Sequence, residues 1–226
     1  MKFTPKSVIL TILAVVAVAA AANVISVVVI DCLQHSRNER YVSDNYSASV
    51  GEQALVAYFS RSGNTKIMAM EIARAKNAAT VELVAGSYKI GFWGWVNALR
   101  DARRHDTSIM PRTFDLSRYS TIYVGSPIWL YSPAPPVWEF IRNNDFSGKT
   151  VVLFNSLNSK FEQTYIDEFA DLVRRRGGAF GGHVFIIRGR MTRQMEVDDF
   201  VRETRRQINS LSLKDNSNSH GDGKMP

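Results

Sequence analysis

From Ser7 to Ile30 the chain carries no charged residue, a run of 24 positions reading SVILTILAVVAVAAAANVISVVVI. At ~1.5 Å per residue it makes a helix of roughly 36 Å, long enough to cross a hydrocarbon core of ~30 Å. It reads as a retained transmembrane helix over about 7–30, the body of an N-terminal anchor covering residues 1–36. The competing reading is a cleaved secretory signal, because Lys2 and Lys6 form a basic leading segment and Ala19–Ala22 offers small residues for cleavage. Val24, Ile25, Val27, Val28, Val29 and Ile30 carry the apolar run past those alanines, beyond the ~7–15 residues of a signal core, and so favour retention. A lipoprotein is disfavoured because Asp31 precedes Cys32 where a small residue is needed. Cys32 then reads as a free thiol at the membrane edge, with pairing between two copies or acylation as minor alternatives. Two Lys or Arg stand on each side of the run (Lys2 and Lys6; Arg37 and Arg40), so charge bias does not orient it. The amino terminus adds one positive charge and favours N-inside, placing the rest of the chain outside the cytoplasm, in the periplasm; a cytoplasmic placement stays open.

After the anchor comes a polar stretch, 37–50, without a sustained period, which predicts a tether. The segment from Lys214 predicts a disordered tail over 214–226. Between them, residues 51–213 form one domain. The 226-residue chain is 45% apolar and 11% aromatic, enough to build a core and exclude a disordered chain. One cysteine excludes an internal disulfide framework and any Cys-rich metal site, and His35, His105, His183 and His220 lack metal-ligand spacing, so no metal site is expected. The chain is formally +7, which raises the question of nucleic acid. There is no recognisable module and the aromatic residues are not interleaved with the basic ones, so nucleic-acid binding is rejected.

Within the domain, short β-branched runs alternate with helical patterns, the signature of a parallel sheet flanked by helices. Strands are expected at 54–59, 80–84, 121–125, 150–154 and 183–187. Helices are expected at 65–76, at 135–143 with proline near its start, at 162–176 and at 197–211. This predicts a three-layer, doubly wound α/β fold.

Directly after the first strand stands Ser60-Arg61-Ser62-Gly63-Asn64-Thr65, opening a helix. Consecutive N–H groups and hydroxyls at the positive end of a helix dipole make a natural phosphate cradle. The glycine spacing and lysine of a Walker A loop are missing, and a plain capping turn explains the six residues equally well. After the third strand comes Ser126-Pro127-Ile128-Trp129-Leu130-Tyr131-Ser132-Pro133, a proline-stiffened aromatic loop. In a doubly wound sheet the two loops meet at the switch point where planar ligands bind.

With VAYFSRSGNT at 56–65, VGSPIWLYSPAPPVWEF at 124–140 and FSGKTVVLF at 146–154, the chain resembles the flavodoxin-like proteins, particularly short bacterial members, over roughly residues 54–211. The resemblance implies a five-stranded parallel sheet in order 2-1-3-4-5 and noncovalent FMN. It implies that Ser60, Ser62, Asn64 and Thr65 hold the FMN phosphate by side chain and backbone, with Arg61 and Gly63 adding backbone N–H groups. It places Pro127, Ile128, Trp129 and Leu130 along the isoalloxazine, with Trp129 or Tyr131 as the stacking ring, and the loop Asn155, Ser156, Leu157 and Asn158 as a third contact. No side chain need act as a catalytic acid or base, because the flavin carries the electrons.

Two departures stand out. The third loop lacks the glycines common in the family, and Phe161 beyond it reads equally as core. Residues 51–213 hold 22 Lys and Arg against 16 Asp and Glu, unlike acidic electron-carrier flavodoxins. In the segment 88–102, with Phe92, Trp93 and Trp95, some of the rings read as packing for an amphipathic helix, with contact to the flavin, a quinone or lipid as the alternative. His105-Asp106 reads as a solvated turn rather than a proton relay. Arg174, Arg175 and Arg176 suit a helix end, and with Arg202, Arg205 and Arg206 they offer a basic face for anionic lipid. The leading reading is a membrane-tethered FMN protein carrying electrons to or from a membrane-proximal redox partner protein or a quinone. The alternatives are an FMN-dependent NAD(P)H:quinone-type oxidoreductase and a flavin-free interaction module; the oligomeric state is left undetermined.

Overall fold

The computed structural model describes residues 5–47, 51, 53–190 and 193–219. Its strands are β1 (Ala54–Tyr58), β2 (Ala79–Glu82), β3 (Thr121–Trp129), β4 (Ser132–Pro133), β5 (Thr150–Leu157), β6 (Ala179–Ile187), β7 (Gly189–Arg190) and β8 (Arg193–Gln194). The five long strands pair in parallel in the order β2-β1-β3-β5-β6, which is the expected 2-1-3-4-5 arrangement. β4 folds back on the end of β3, and β7 and β8 form a separate small hairpin.

The helices are α1 (Pro5–Asn45), α2 (Asn64–Lys76), α3 (Phe92–Asp101), α4 (Pro135–Asn143), α5 (Gln163–Arg175) and α6 (Val197–Ser219). Successive strand residues point to opposite faces. Leu55, Ile122, Val124 and Leu153 meet Val137 and Trp138 of α4 and Ile166 and Phe169 of α5. Val56, Tyr123, Val152 and Phe154 meet Ile67, Met68 and Ile72 of α2 and Phe200 and Ile208 of α6. Gly125 sits opposite Phe154 on β5, and a Cβ there would lie 2.0 Å from the Phe154 ring, so only glycine lets that ring cross the sheet centre.

Strand ends run beyond the expected limits. β3 continues through Ser126–Trp129 because β4 and β5 supply partners for that stretch, so the anticipated proline-stiffened loop is largely strand. β5 likewise continues through Asn155–Leu157, paired with β6. Most of the expected basic face is paired: Arg174, Arg202 and Arg206 with Asp171, Asp199 and Glu203 one turn earlier, Arg205 with the buried Glu71, and Arg176 donates to the Asn144 carbonyl. His105 is no solvated turn either. Its ring stacks on Trp138 at 3.7 Å, and burial lowers its pKa.

The largest departure is the expected tether. α1 runs unbroken through residues 37–45, roughly 60 Å of helix in all. The stretch is helical because one face of it is consumed by the domain, and its anchoring residues are polar. Asn38 Nδ2 donates to the Ser62 carbonyl at 2.7 Å and to Asn64 Oδ1 at 2.8 Å, and Glu39 accepts from Lys66 at 2.7 Å. Val42 is buried against the α2 side of the core, and Tyr46, just past the helix end, donates to Glu71 at 3.0 Å. A search for apolar periodicity is blind to such a face. At the other end α6 continues to Ser219, so the first residues of the expected tail are helical, while 220–226 lie outside the described residues. The apolar part of α1 is long enough to cross a membrane, and none of its most apolar 18 residues is buried.

His183 on β6 donates Nε2–H to Asn155 Oδ1 at 2.8 Å, because the Asn155 amide is already committed as donor to the Ser126 carbonyl. Burial pushes the imidazole down to about 4. The unfolded chain, with a pKa of ~6.5, takes up this proton first, so stability is intact above that pH and falls as pH drops towards 4. Urea midpoints between pH 7 and 4.5 should fall less in His183→Gln than in the unaltered chain. Equal pH slopes would show that His183 does not set this sensitivity.

Candidate functional site

A cavity of about 280 Å³ opens at the carboxyl ends of β1, β3 and β5, where the sheet order reverses. Its floor is the turn Ser60–Thr65. Gly63 sits at φ 90°, a left-handed conformation that bends the chain from β1 into α2, and the N–H groups of the first turn of α2 have no helical carbonyl to pair with. Ser60, Arg61, Ser62, Asn64 and Thr65 line the cavity. Gly63 shapes the turn without lining it, and its N–H is spent on Ser60 Oγ at 3.1 Å, so the expected N–H contribution from Gly63 is not free.

The second wall is Pro127, Ile128, Trp129 and Leu130, and the third Ser156, Leu157 and Asn158. Thr65 and Ser156 hydroxyls meet at 2.8 Å and tie the first loop to the third. Trp129 stands edge-on to Tyr88 and Phe59, with ring centres 5.1 and 5.5 Å away. Two expected contacts do not line the cavity. Asn155 is fully buried and uses its amide on Ser126 and His183, a structural role. Tyr131 faces Lys160, whose ammonium lies 5.1 Å from the ring centre, and so is not placed as the stacking ring. Phe161 packs with His183 and Phe185, as core.

Leu130 (φ 42°) and Tyr131 (φ 79°) join β3 to β4 with positive φ at both positions, in a two-residue hairpin that normally takes Asn-Gly. Each residue costs ~1–2 kcal/mol in that region. Backbone strain is thus held at the rim of the cavity. Tyr131→Gly should raise stability by about 0.5–1 kcal/mol in urea unfolding, the gain being partly offset by lost packing; no gain, or a loss, would mean the turn is not strained.

Several lining residues were not among the contacts expected from the sequence, or, for Trp95, only as the weaker alternative. Trp95, Ala98 and Leu99 come from α3, and Gln194 from β8. Trp95 had a signal in the aromatic spacing of 88–102. Asp31 and Gln34 come from α1 and had none, because a helix read as anchor and tether carries no expectation of reaching the site.

Charge at the turn is unbalanced. Asp31 and Arg188 are each 4% exposed, and the Arg61 side chain is 10% exposed. Arg61 pairs with Asp31 and also donates to the Gly91 carbonyl at 3.3 Å. Arg188 donates to Asn64 Oδ1, which also accepts from Gln34 and Asn38 at 2.8 Å each. Burial lowers the Arg188 pKa to about 10, which leaves it charged at neutral pH. The Nε atoms of both arginines are buried without a hydrogen-bond partner. Two buried guanidiniums stand beside a helix N-terminus against one buried carboxylate, Arg61 lining the cavity and Arg188 behind the turn with the exposed Glu196 near it. The buried positive excess favours an anion at the turn. No group of metal-ligating side chains occurs among the described residues.

A family model described as Flavodoxin matches residues 53–171. A candidate flavoprotein from Bacteroides uniformis ATCC 8492 is 23% identical, with TM-score 0.51, covering 67% of this chain and 99% of its own. A flavoprotein from Lactobacillus acidophilus NCFM, solved in complex with FMN, is 23% identical, with TM-score 0.49, covering 60% of this chain and 93% of its own. Oxidised flavodoxin 1 from Bacillus cereus is 18% identical, with TM-score 0.47, covering 72% and 97%. No curated protein matches the chain.

Proposed function

Because the chain belongs to the flavodoxin family, we propose that it is a membrane-tethered flavoprotein that binds FMN in the cavity above α2 and carries electrons to or from a partner at the membrane. The observation that supports this best is the single excess positive charge buried at the Ser60–Thr65 turn, two guanidiniums against Asp31 at a helix N-terminus, which attracts a phosphate group. Ser62, Asn64 and Thr65 present backbone and side-chain polar groups of the turn, and Arg61, which lines the cavity, has a buried Nε–H without a partner, while Arg188 stands behind the turn and bonds Asn64. Trp95, Trp129, Leu99 and Leu130 form an apolar wall suited to a flat ring. The residues therefore fit the group.

Bound FMN supplies one- and two-electron chemistry; the chain supplies its placement and surroundings. Asp31 is the carboxylate in the cavity wall, and Arg61 neutralises it, so the wall does not repel added electron density. With 22 Lys and Arg against 16 Asp and Glu in residues 51–213, the domain suits a partner held beside it better than a basic soluble one. α1 provides the tether, and the domain lies in the periplasm in this reading.

The deciding experiment is an FMN titration of the full chain in detergent. Yellow protein, or uptake of one equivalent of added FMN, is expected; a colourless preparation that takes up none would overturn the flavin reading. Oxidation of NAD(P)H with a quinone and without a separate reductase would make the protein an enzyme rather than a carrier. Reporter fusions at the carboxyl terminus test sidedness, and a signal from a cytoplasm-active reporter alone would reverse it.

A further inference from the structure

α3 leaves its first residues uncovered by the domain. Phe92 is 41% exposed and Trp93 is 74% exposed, their rings 5.1 Å apart. The packing expected for some of the rings of 88–102 falls on Tyr88 and Trp95 and not on these two, and α3 is amphipathic as anticipated: Gly94, Ala98 and Asp101 form its buried side. Phe92 lines a groove of about 470 Å³ whose other wall is α1, at Ala21, Val24, Ile25, Val28 and Val29. These five residues belong to the uncharged run.

We propose that the Phe92–Trp93 tip of α3 is a second membrane contact, seated in the same leaflet as Ala21–Val29; the proposal rests on the reading of α1 as a membrane helix. The occupant of the groove is set by continuity. Whatever covers α1 from Ala21 to Val29 covers Phe92, which shares that groove. Ala21 lies ten residues before Asp31, roughly 15 Å along the helix, so this is hydrocarbon depth and not merely the headgroup edge. Phe92 is wholly apolar, whereas Trp93 carries one N–H and suits the interface. Lys89, exposed just before the tip, is placed to reach headgroups. Positions 92, 95 and 99 share one face of α3. That face runs from the groove at Phe92 to the cavity wall at Trp95 and Leu99, so the mouth of the cavity is held at the membrane surface.

The test uses the full chain in phosphatidylcholine–phosphatidylglycerol nanodiscs, with Cys32→Ser as background. A spin label is placed at Trp93→Cys, at Val16→Cys in the apolar run, and at Asp171→Cys on the exposed face of α5. Collision rates with oxygen and with a water-soluble nickel chelate are compared. The label at 93 should have nickel accessibility at least about fivefold below that at 171, and lie nearer the interface than that at 16. If the label at 93 is as nickel-accessible as that at 171 while 16 stays in lipid, this proposal falls alone. If 16 is also water-accessible, the membrane reading of α1 falls with it. Shielding at 93 from both reagents, with spin–spin broadening, would mean that a second copy covers the tip, and also overturns the proposal. Since the label removes the indole, bromolipid quenching of the otherwise unaltered chain gives a second measure. Trp93→Phe should lose at least a third of the quenched amplitude, and no loss would sink the idea.

Discussion

Gly63→Val is expected to weaken FMN binding by at least 100-fold. The residue sits at φ 90°, which a β-branched side chain tolerates poorly, and a Cβ there would lie 2.4 Å from Asn38 Cβ. The left-handed conformation costs ~1–2 kcal/mol in any L residue. The clash adds to this, and α1 cannot yield easily because Asn38 is 2% exposed and bonded to the same turn. The turn must therefore open, taking with it the N–H groups aimed at the phosphate, each worth ~1.5–3 kcal/mol when bonded to a charged group. A loss of about 3 kcal/mol is a factor of roughly 100. Riboflavin, which lacks the phosphate, should lose much less, so the ratio of the two affinities reports the turn and not general damage. Circular dichroism checks that the fold survives. An FMN affinity within threefold of the unaltered chain would remove the phosphate from this turn.

The turn itself was legible because its chemistry is local: Ser, Gly, Asn and Thr between an apolar strand and a helix specify both the bend and the donors. The strands were legible by position but not by length. Residues 126–129 and 155–157 join the sheet only because neighbouring strands extend equally far, which no local pattern records. Tyr131 shows a different limit. Its aromatic character suggested a ring contact, but the two-residue hairpin with positive φ turns it towards Lys160. The third wall of the site was legible in outline, yet Asn155 and Ser156 alternate across the strand. One amide is committed to Ser126 and His183, and the other residue's hydroxyl reaches Thr65. Least legible was α1 beyond the membrane run. Asp31, Gln34 and Asn38 recur at helical spacing on the face that meets the site, but they are polar, and polarity after an apolar helix reads as a linker.

That polar face leads to the second large effect. Asn38→Ala should reduce FMN affinity about 10- to 50-fold although Asn38 is not among the residues lining the cavity. Its amide donates to the Ser62 carbonyl and to Asn64 Oδ1, holding the turn from outside. Asn64 Oδ1 keeps Gln34 and Arg188 as partners, whereas the Ser62 carbonyl loses its Asn38 donor. An acceptor left unpaired costs up to ~1–3 kcal/mol when buried and less for the partly buried Ser62 carbonyl, and relieving that cost reorients the peptide that comes after Ser62. Because the contact comes from the same helix as the apolar run, a tilt or lift of α1 would act on the turn through this bond, linking the anchor to cofactor affinity. The comparison that separates positioning from general destabilisation is Lys66→Met, which breaks the ion pair with Glu39 on the same helix pair, and the longer one with Glu82, but leaves the turn's own bonds intact. Both variants should loosen α1 from α2, and only Asn38→Ala should change FMN affinity more than about threefold. Equal losses in the two would mean that helix packing matters and the Asn38 bonds do not.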